Sequence, residues 1–402
     1  MPSAGTTRRG GAQFVVSPKS SRMTDLLESP RTHVPAARRT VALLGLGTAV
    51  PPAATQSDAL SIVRQFGCQT AGQRAWLGRV FAHAGVETRS SVLLGAGGMA
   101  DVERFFPPAK DPSDLGPTTA ARMQRYAQEA PPLAHRAAQA ALADARLPAA
   151  EITHLITVSC TGFFAPGLDA ALITSLGLPP AIRRQHLGFM GCHAAFNALA
   201  AARDIVLAHP HARVLVCSVE LSTLHFTYGW DPEKLVTNAL FADGAAACVV
   251  GATSRGTGPL WHLLQTASLL VPASAAAMTW RIGDHGFEMT LSAELPTLIT
   301  SRLRDWCVSW LADEALAPAD IALWAIHPGG PKIIAAAAES LALPDSATAP
   351  SRALLARHGN MSSATVLFLL QDLAPQAPAG AHCVAIGFGP GLMLEGMLLR
   401  AG

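Results

Sequence analysis

The chain has 402 residues, room for two to three domains at about 150 residues each. Half of it is apolar and only 14% is charged, against about a quarter in typical domains, which excludes a disordered protein, a coiled coil and a highly charged scaffold. Its 30 basic and 28 acidic residues leave a formal net charge of +2, too balanced for the basic footprint of a nucleic-acid binder.

Residues 1–39 are rich in Ser, Pro, Thr and Arg, with Asp25 and Glu28 as the only acids. They read as a disordered extension. A transit peptide has a similar composition, but this segment is not clearly amphipathic, and it lacks an apolar signal core. The ordered chain is predicted to start with a strand at Val41–Leu46. An Ala-rich helix over Pro132–Leu147, a strand over Ile152–Ser159, a second Ala-rich helix over Cys192–Ala208, and strands over Arg213–Val219 and Ala245–Gly251 follow. The uncharged stretch Gly256–Trp280 is long enough to span a membrane. It contains His262, Gln265 and Pro272, however, and reads as strand, loop and strand. A further series gives a helix over Pro296–Leu311, a strand over Leu323–His327, a helix over Ser362–Leu373, and strands over His382–Phe388 and Leu392–Leu398. Strands built of Val, Ile, Leu and Ala imply sheets covered on both faces, and the alternation with helices predicts an α/β layered fold. Two halves, residues 40–255 and 256–402, would each hold one mixed sheet.

The seven cysteines are Cys68, Cys160, Cys192, Cys217, Cys248, Cys307 and Cys383. Their number is odd, no CxxC occurs, and the closest pair is 217 − 192 = 25 residues apart. This argues against a structural metal site and against a disulfide framework, and fits a reducing cytoplasm.

Four segments carry chemistry. In Leu187-Gly-Phe-Met-Gly-Cys192-His-Ala-Ala-Phe196 a cysteine opens a helix after a glycine elbow. Unpaired N–H groups and the helix dipole there favour a thiolate. A small cysteine merely buried in an Ala-rich helix would show the same pattern. His193, beside it, is turned away. In Leu323-Trp-Ala-Ile-His327-Pro-Gly-Gly-Pro331 a strand delivers a histidine to its C-terminal end, where α/β sheets bind ligands. Asn360, in Gly359-Asn-Met-Ser-Ser363, precedes a helix and also reads as a plain N-cap. Gly387-Phe-Gly-Pro-Gly391 has no Lys-Ser after it and a proline without an N–H, so it reads as a tight bend lining a cavity rather than a phosphate loop. Cys, His and Asn together suggest acyl transfer. The same order occurs in papain-like proteases, but the C-G-[SA]-C-[WY] signature is missing and the cysteine lies mid-chain.

Together with Cys160-Thr-Gly-Phe-Phe-Ala-Pro-Gly-Leu-Asp169 and Ala239-Leu-Phe-Ala-Asp-Gly-Ala245, these segments resemble the type III polyketide synthases, the chalcone-synthase-like condensing enzymes, over roughly Thr40–Arg400. The resemblance implies a thiolase fold, two similar halves in an αβαβα arrangement, and a homodimer. It implies that Cys192, in the N-terminal half, carries the starter and the growing chain. His327 and Asn360, in the C-terminal half, would bind the malonyl thioester carbonyl and the enolate left by decarboxylation. Acyl-CoA and malonyl-CoA are then substrates, with no cofactor and no metal.

Phe241 stands where the family guards the junction of CoA tunnel and cavity. Met289 replaces a phenylalanine of plant chalcone synthases, Ala165 a methionine that enters the partner's cavity, and His225 stands near a cavity threonine. Cys160, Thr161 and Trp280 fall among the other substrate-binding positions. Arg79 lies at a CoA-binding position whose basic neighbours are here Trp76 and His83, and Lys332 also reaches toward the phosphates. The stretch Met278–Met289 looks like bacterial enzymes that make alkylpyrones and alkylresorcinols from long fatty acyl-CoA. The alternatives are a naphthalene- or chalcone-type synthase, a ketoacyl synthase using acyl carrier protein, a catalytically dead lipid binder, and a cysteine hydrolase.

Overall fold

The computed structural model describes residues 40–253 and 260–402. The expected N-terminal extension, residues 1–39, and the expected boundary near residue 255 lie outside the described residues. The strands are β1 (Val41–Ala49), β2 (Ala53–Thr55), β3 (Thr88–Ser90), β4 (His154–Ser159), β5 (Arg183–Gly188), β6 (Arg213–Leu221) and β7 (Asp243–Ala252), then β8 (Trp261–Leu270), β9 (Met278–Gly283), β10 (Gly286–Leu291), β11 (Leu323–Ile326), β12 (His382–Gly389) and β13 (Met393–Ala401). The helices are α1 (Gln56–Gly67), α2 (Ala71–Ala82), α3 (Met99–Phe105), α4 (Thr119–Asp144), α5 (Leu168–Leu176) and α6 (Ala194–Ala208), then α7 (Pro232–Leu240), α8 (Leu295–Leu311), α9 (Pro331–Leu341), α10 (Asp345–His358) and α11 (Thr365–Leu373).

Nine strands form one sheet in the order β11-β12-β13-β8-β1-β7-β6-β4-β5. Outward from the β1/β8 junction, each half repeats one pattern. β1–β7 and β7–β6 are antiparallel and β6–β4 is parallel; β8–β13 and β13–β12 are antiparallel and β12–β11 is parallel. The two sets are not the separate sheets expected from the sequence. Val41, Ala42 and Leu43 pair with Leu263, His262 and Trp261 and join them. The physical reason is the buried edge each set would otherwise leave: Val41, Leu43, Trp261 and Leu263 are all buried, and a buried edge strand must pair its N–H and C=O groups.

Both faces of the sheet are covered, which explains the near-continuous apolar strands. On β6, Leu215, Cys217 and Val219 face the core under α4, while Val214 and Val216 face the core that holds α6 and α11. On β12, Cys383 and Ala385 face α6 and α11, while Val384, Ile386 and Phe388 face the core under α8 and α9. The result is the expected αβαβα layering, with α6 and α11 in the middle layer. Their burial dictates their composition: Val366 to Leu370 are buried on every side of α11.

Two elements differ from the sequence reading. α4 begins at Thr119 and runs through Pro131 and Pro132, where proline normally ends a helix. The buried stripe Tyr126, Ala130, Leu133, Ala134, Ala137 packs against the sheet on both sides of the prolines, and Thr118 caps the new start by accepting from Ala121 N–H. The helix expected from Ser362 opens instead with a 3₁₀ turn, Ser362–Ala364. Among the described residues no helix is long and apolar enough to cross a membrane. The stretch considered as a span forms β8, a loop and the start of β9, its first residues lying outside the described part.

The tightest approach in the fold is between β1 and α4. A Cβ placed on Gly45 or Gly47 would overlap the backbone of α4 at Ala145 or Ala141. We expect Gly47→Ala to destabilise the chain by about 1–3 kcal/mol through overpacking. Gly72→Ala is the control: it lies in α2 with only Thr70 Oγ1 near its added methyl, at 3.9 Å, and should stabilise by up to about 1 kcal/mol. Urea midpoints of the two variants read the difference; equal midpoints would contradict the packing account.

Candidate active site

After β5 the chain turns through Phe189 (φ 61°) and Gly191 (φ 87°) into Cys192. A side chain at Gly191 would collide with the Pro390 ring, so the glycine-rich bend after β12 braces this elbow and residue 191 must be glycine. α6 itself starts only at Ala194, with His193 as its N-cap residue. Cys192 therefore precedes the helix and is 5% exposed. The helix-start argument predicts a lowered thiol pKa, and the structure reverses it. Burial pushes the Cys192 thiol up to about 12, and the Glu220 charge adds to this, against hydrogen bonds from the Ser362 and Asn360 side chains that lower it. His193 points elsewhere, its Nδ1 bonded to Asn197 Oδ1 at 2.9 Å.

His327 follows β11 directly. Its backbone N–H donates to Ile386 C=O at 2.8 Å, which extends the β11–β12 pairing by one step before Gly329 and Gly330 turn into α9. The ring is 1% exposed, and neither nitrogen has a hydrogen-bond partner among the described residues. Burial pushes its pKa down to about 3, with the nearby His193 charge acting the same way. A buried imidazole with two open nitrogens is costly unless something else meets them.

Asn360 is held on both sides. Its N–H donates to Leu240 C=O at 2.9 Å, and its C=O accepts from Ala242 N–H at 2.9 Å, so its backbone bridges Phe241. Its Oδ1 accepts from Ser362 N–H at 2.8 Å. The plain cap reading thus holds for the oxygen, while the carboxamide also bonds Cys192, leaving its N–H donors on the side of the sulfur.

Cys192, His327 and Asn360 line one cavity of about 650 Å³. Its other walls are mostly apolar, among them Val80, Leu240, Met278, Leu291, Ile333 and Phe388, and its rim carries Arg79, His83, Glu233 and Lys332. Phe241 and Met289 also face a second, inner cavity of about 20 Å³, room for about one water. Cys160, Thr161, His225 and Trp280 line that inner space. His225 Nε2 bonds Thr161 C=O at 2.7 Å, its Nδ1 accepts from Phe287 N–H at 2.9 Å, and its ring stacks on Phe287 at 4.3 Å. With both nitrogens occupied and its pKa pushed down to about 3 by burial, it is a neutral wall. Trp280 Nε1 donates to Cys160 C=O at 2.8 Å. Ala165 does not join these residues. It is exposed and lines neither cavity, because the loop after β4 carries it outward.

Sequence reading missed Glu220 and Ser362. Glu220 is fully buried and accepts from Cys160 N–H (3.1 Å), Thr161 Oγ1 (2.7 Å) and Ser363 Oγ. Burial raises its pKa against these donors. The available signal was a lone acid inside the apolar strand β6. Ser362 Oγ lies 3.3 Å from Cys160 Sγ and also bonds Cys192. All seven cysteines are free thiols, and no group of three potential metal ligands occurs among the described residues.

Comparison with known proteins agrees across nearly the whole chain. Residues 29–254 match the N-terminal domain of chalcone and stilbene synthases, and residues 262–401 match the C-terminal domain. The α-pyrone synthesis polyketide synthase-like Pks18 of Mycobacterium tuberculosis is 36% identical over 377 residues, covering 90% of this chain and 92% of the relative. The 1,3,6,8-tetrahydroxynaphthalene synthase of Streptomyces peucetius is 34% identical over 369 residues, covering 90% and 93%. Among solved structures, PKS-I from the brown alga Ectocarpus siliculosus superposes with a TM-score of 0.82 at 29% identity, covering 90% of this chain and 99% of that one. A type III pentaketide synthase from Neurospora crassa gives 0.78 at 26%, covering 90% and 100%.

The burial shifts set a pH dependence for Cys192. With the thiol raised to about 12 and the imidazole lowered to about 3, the two groups together hold one proton across the range between. Where the attraction between the two charges makes transfer from sulfur to nitrogen the main source of thiolate, that transfer is internal and the thiolate fraction is independent of pH there; we expect this for Cys192 and His327. Carbamidomethylation of Cys192, followed on its own peptide, should change in rate by less than about threefold from about pH 5.5 to about pH 8.5. His327→Ala should restore the rise of about tenfold per pH unit shown by a solitary thiol. That steep rise in the unaltered chain would contradict the shared proton.

Proposed function

Since the chain belongs to the chalcone and stilbene synthase family and is a type III polyketide synthase, a condensing acyltransferase that uses malonyl-CoA, we propose that it extends a fatty acyl-CoA starter held on Cys192 and closes the product to an alkylpyrone or alkylresorcinol. The observation that carries this reading is the single apolar cavity into which Cys192, His327 and Asn360 all project. In it, the Cys192 thiolate takes the acyl group and releases CoA, with its proton on His327. Malonyl-CoA then binds with its thioester carbonyl toward His327 and Asn360. Loss of carbon dioxide leaves an enolate whose oxygen faces their N–H donors, and the enolate carbon attacks the Cys192 thioester. Because decarboxylation creates the carbanion, the cycle needs no separate base, metal or cofactor.

The alkyl product rests on the wall. Met289 is flexible and unbranched, and it faces both cavities beside Phe241. The α-pyrone synthesis of the Mycobacterium relative points the same way. The naphthalene synthase relative favours a second reading, in which malonyl-CoA alone supplies every unit. In either reading residues 40–255 contribute the nucleophile and 256–402 the histidine and asparagine. The rim cations Arg79 and Lys332 suit the phosphates of CoA. A homodimer is the proposed assembly: β5 is the outer strand of the sheet, with Phe163 and Met190 exposed nearby at 39% and 40%, and an open strand edge beside apolar surface suits a second copy. Seven free thiols, the nucleophile included, suit a reducing cytoplasm.

Incubation with short to long acyl-CoAs and malonyl-CoA, with product mass and released carbon dioxide measured, tests the reading. We expect alkyl-substituted pyrones with one carbon dioxide per added unit, or resorcinols with one more, since their ring closure also loses the terminal carboxyl. Met289→Trp should shift the preferred starter to a shorter chain by narrowing the wall. Free fatty acid without carbon dioxide would contradict the assignment, and a naphthalene from malonyl-CoA alone would select the second reading.

A further inference from the structure

Arg89, on β3, carries a guanidinium that the condensation steps do not use, and it is only 3% exposed. Burial lowers its pKa to about 9, against the charge of Asp243 that raises it, so it is a cation at neutral pH. Among the described residues it forms no ion pair with a carboxylate. A buried charge without a paired carboxylate is costly, and its remaining partners show what it holds. Nη1 donates to Asn238 C=O at 2.6 Å and to Phe241 C=O at 3.1 Å. Nε and Nη2 both donate to Gln56 Oε1, at 3.1 Å and 2.6 Å. Gln56 Nε2 in turn donates to Ala239 C=O at 2.9 Å.

These acceptors are the end of α7. The last turn of a helix leaves carbonyls without partners inside the helix and carries the negative end of its dipole. Here Asn238 and Phe241 C=O meet Arg89, Ala239 C=O meets Gln56, and Leu240 C=O meets Asn360 N–H at 2.9 Å. One cap thus joins Phe241, which faces both cavities, to the asparagine beside Cys192. β3 also holds the other flank of Asn360. Glu87 N–H donates to Ala356 C=O at 2.8 Å and Thr88 Oγ1 to Arg357 C=O at 2.6 Å, both in the last turn of α10, which leads into Gly359 and Asn360. Arg89 itself lines neither cavity. Cys192 arrives on a different elbow, the one braced by Pro390.

We infer that Arg89 is a positioning residue for chain extension: its fork locks the end of α7, so that Phe241 stands at the junction of the cavities and the Asn360 carboxamide is held toward the malonyl thioester. The inference rests on the role proposed above for Asn360. It separates extension, which uses that carboxamide, from loading of Cys192, which does not. A shift of the cap would misplace the donor that meets the enolate oxygen, and small misplacements of such groups slow the step they serve.

The test reads two rates on one preparation: acylation of Cys192 by acyl-CoA alone, and carbon dioxide release when malonyl-CoA is added to the acylated chain. Both are expressed per acylated chain, so a smaller folded fraction cancels. Arg89→Lys keeps a cation but loses the planar fork. It should lower the malonyl-dependent rate about tenfold and leave the acylation rate within about twofold of the parent's. Gln56→Met removes the carboxamide that orients the fork and should give the same split by a smaller factor; it decides the matter if Arg89→Lys yields no acylated chain. An arginine with a structural role alone would reduce the amount of acylated chain and leave both rates unchanged. That result, or an equal fall in both rates, overturns the positioning role. An Asn360→Ala chain that extends at the parent's rate removes instead the role of Asn360 on which the inference rests.

Discussion

The site depends on one constraint: two helices, α6 and α11, are buried side by side in the middle layer, and the segments entering them must end at one place. Cys192 and Asn360 are 360 − 192 = 168 residues apart, yet the two entry turns are tied by direct contacts. Asn360 bridges Phe241 through two backbone hydrogen bonds, and Ser362 touches both buried sulfurs. His327 arrives by a third route, at the end of β11, registered by β12. Each reactive group is thus fixed by sheet or helix geometry, which gives the precision a multi-group reaction requires.

Burial gives the site its character. A lone charge on Cys192 or on His327 is disfavoured, since desolvation raises one pKa and lowers the other. The proposed cycle places opposite charges on the two, each stabilising the other, so that an acyl group or enolate would meet fixed donors without solvent rearranging. Glu220 sits behind this pair, ringed by hydroxyl and N–H donors rather than by a cation. Its negative charge further disfavours a thiolate on Cys192, so the free chain holds this thiol protonated. The mouth has the opposite character, with exposed cations and indoles around an apolar throat.

Much of this was legible in the sequence, for reasons that differ by residue. Gly191 before Cys192, the strand ending at His327 and the Gly-Asn step at 359–360 are local patterns, each required by a nearby turn, and their order carried the family resemblance. Buried strands showed as apolar runs because the sheet is covered on both faces. Other features depend on contacts that no local pattern encodes. α4 crosses Pro131 and Pro132 because its packed stripe extends beyond them. The halves share one sheet because β1 and β8 must satisfy each other's edge. The pKa direction of Cys192 was misjudged because a helix start is visible in sequence and complete desolvation is not. Glu220 and Ser362 act only through the residues they meet across the fold.

The central claim is that Cys192 is the sulfur that carries the acyl chain. It is tested most directly by giving the enzyme acyl-CoA without malonyl-CoA, quenching in acid, digesting, and weighing every cysteine peptide. The account predicts one acyl thioester, on the Cys192 peptide, that disappears when malonyl-CoA is added. A thioester found instead on Cys160 or another cysteine, or extended product formed by a chain whose Cys192 peptide is never acylated, would contradict it.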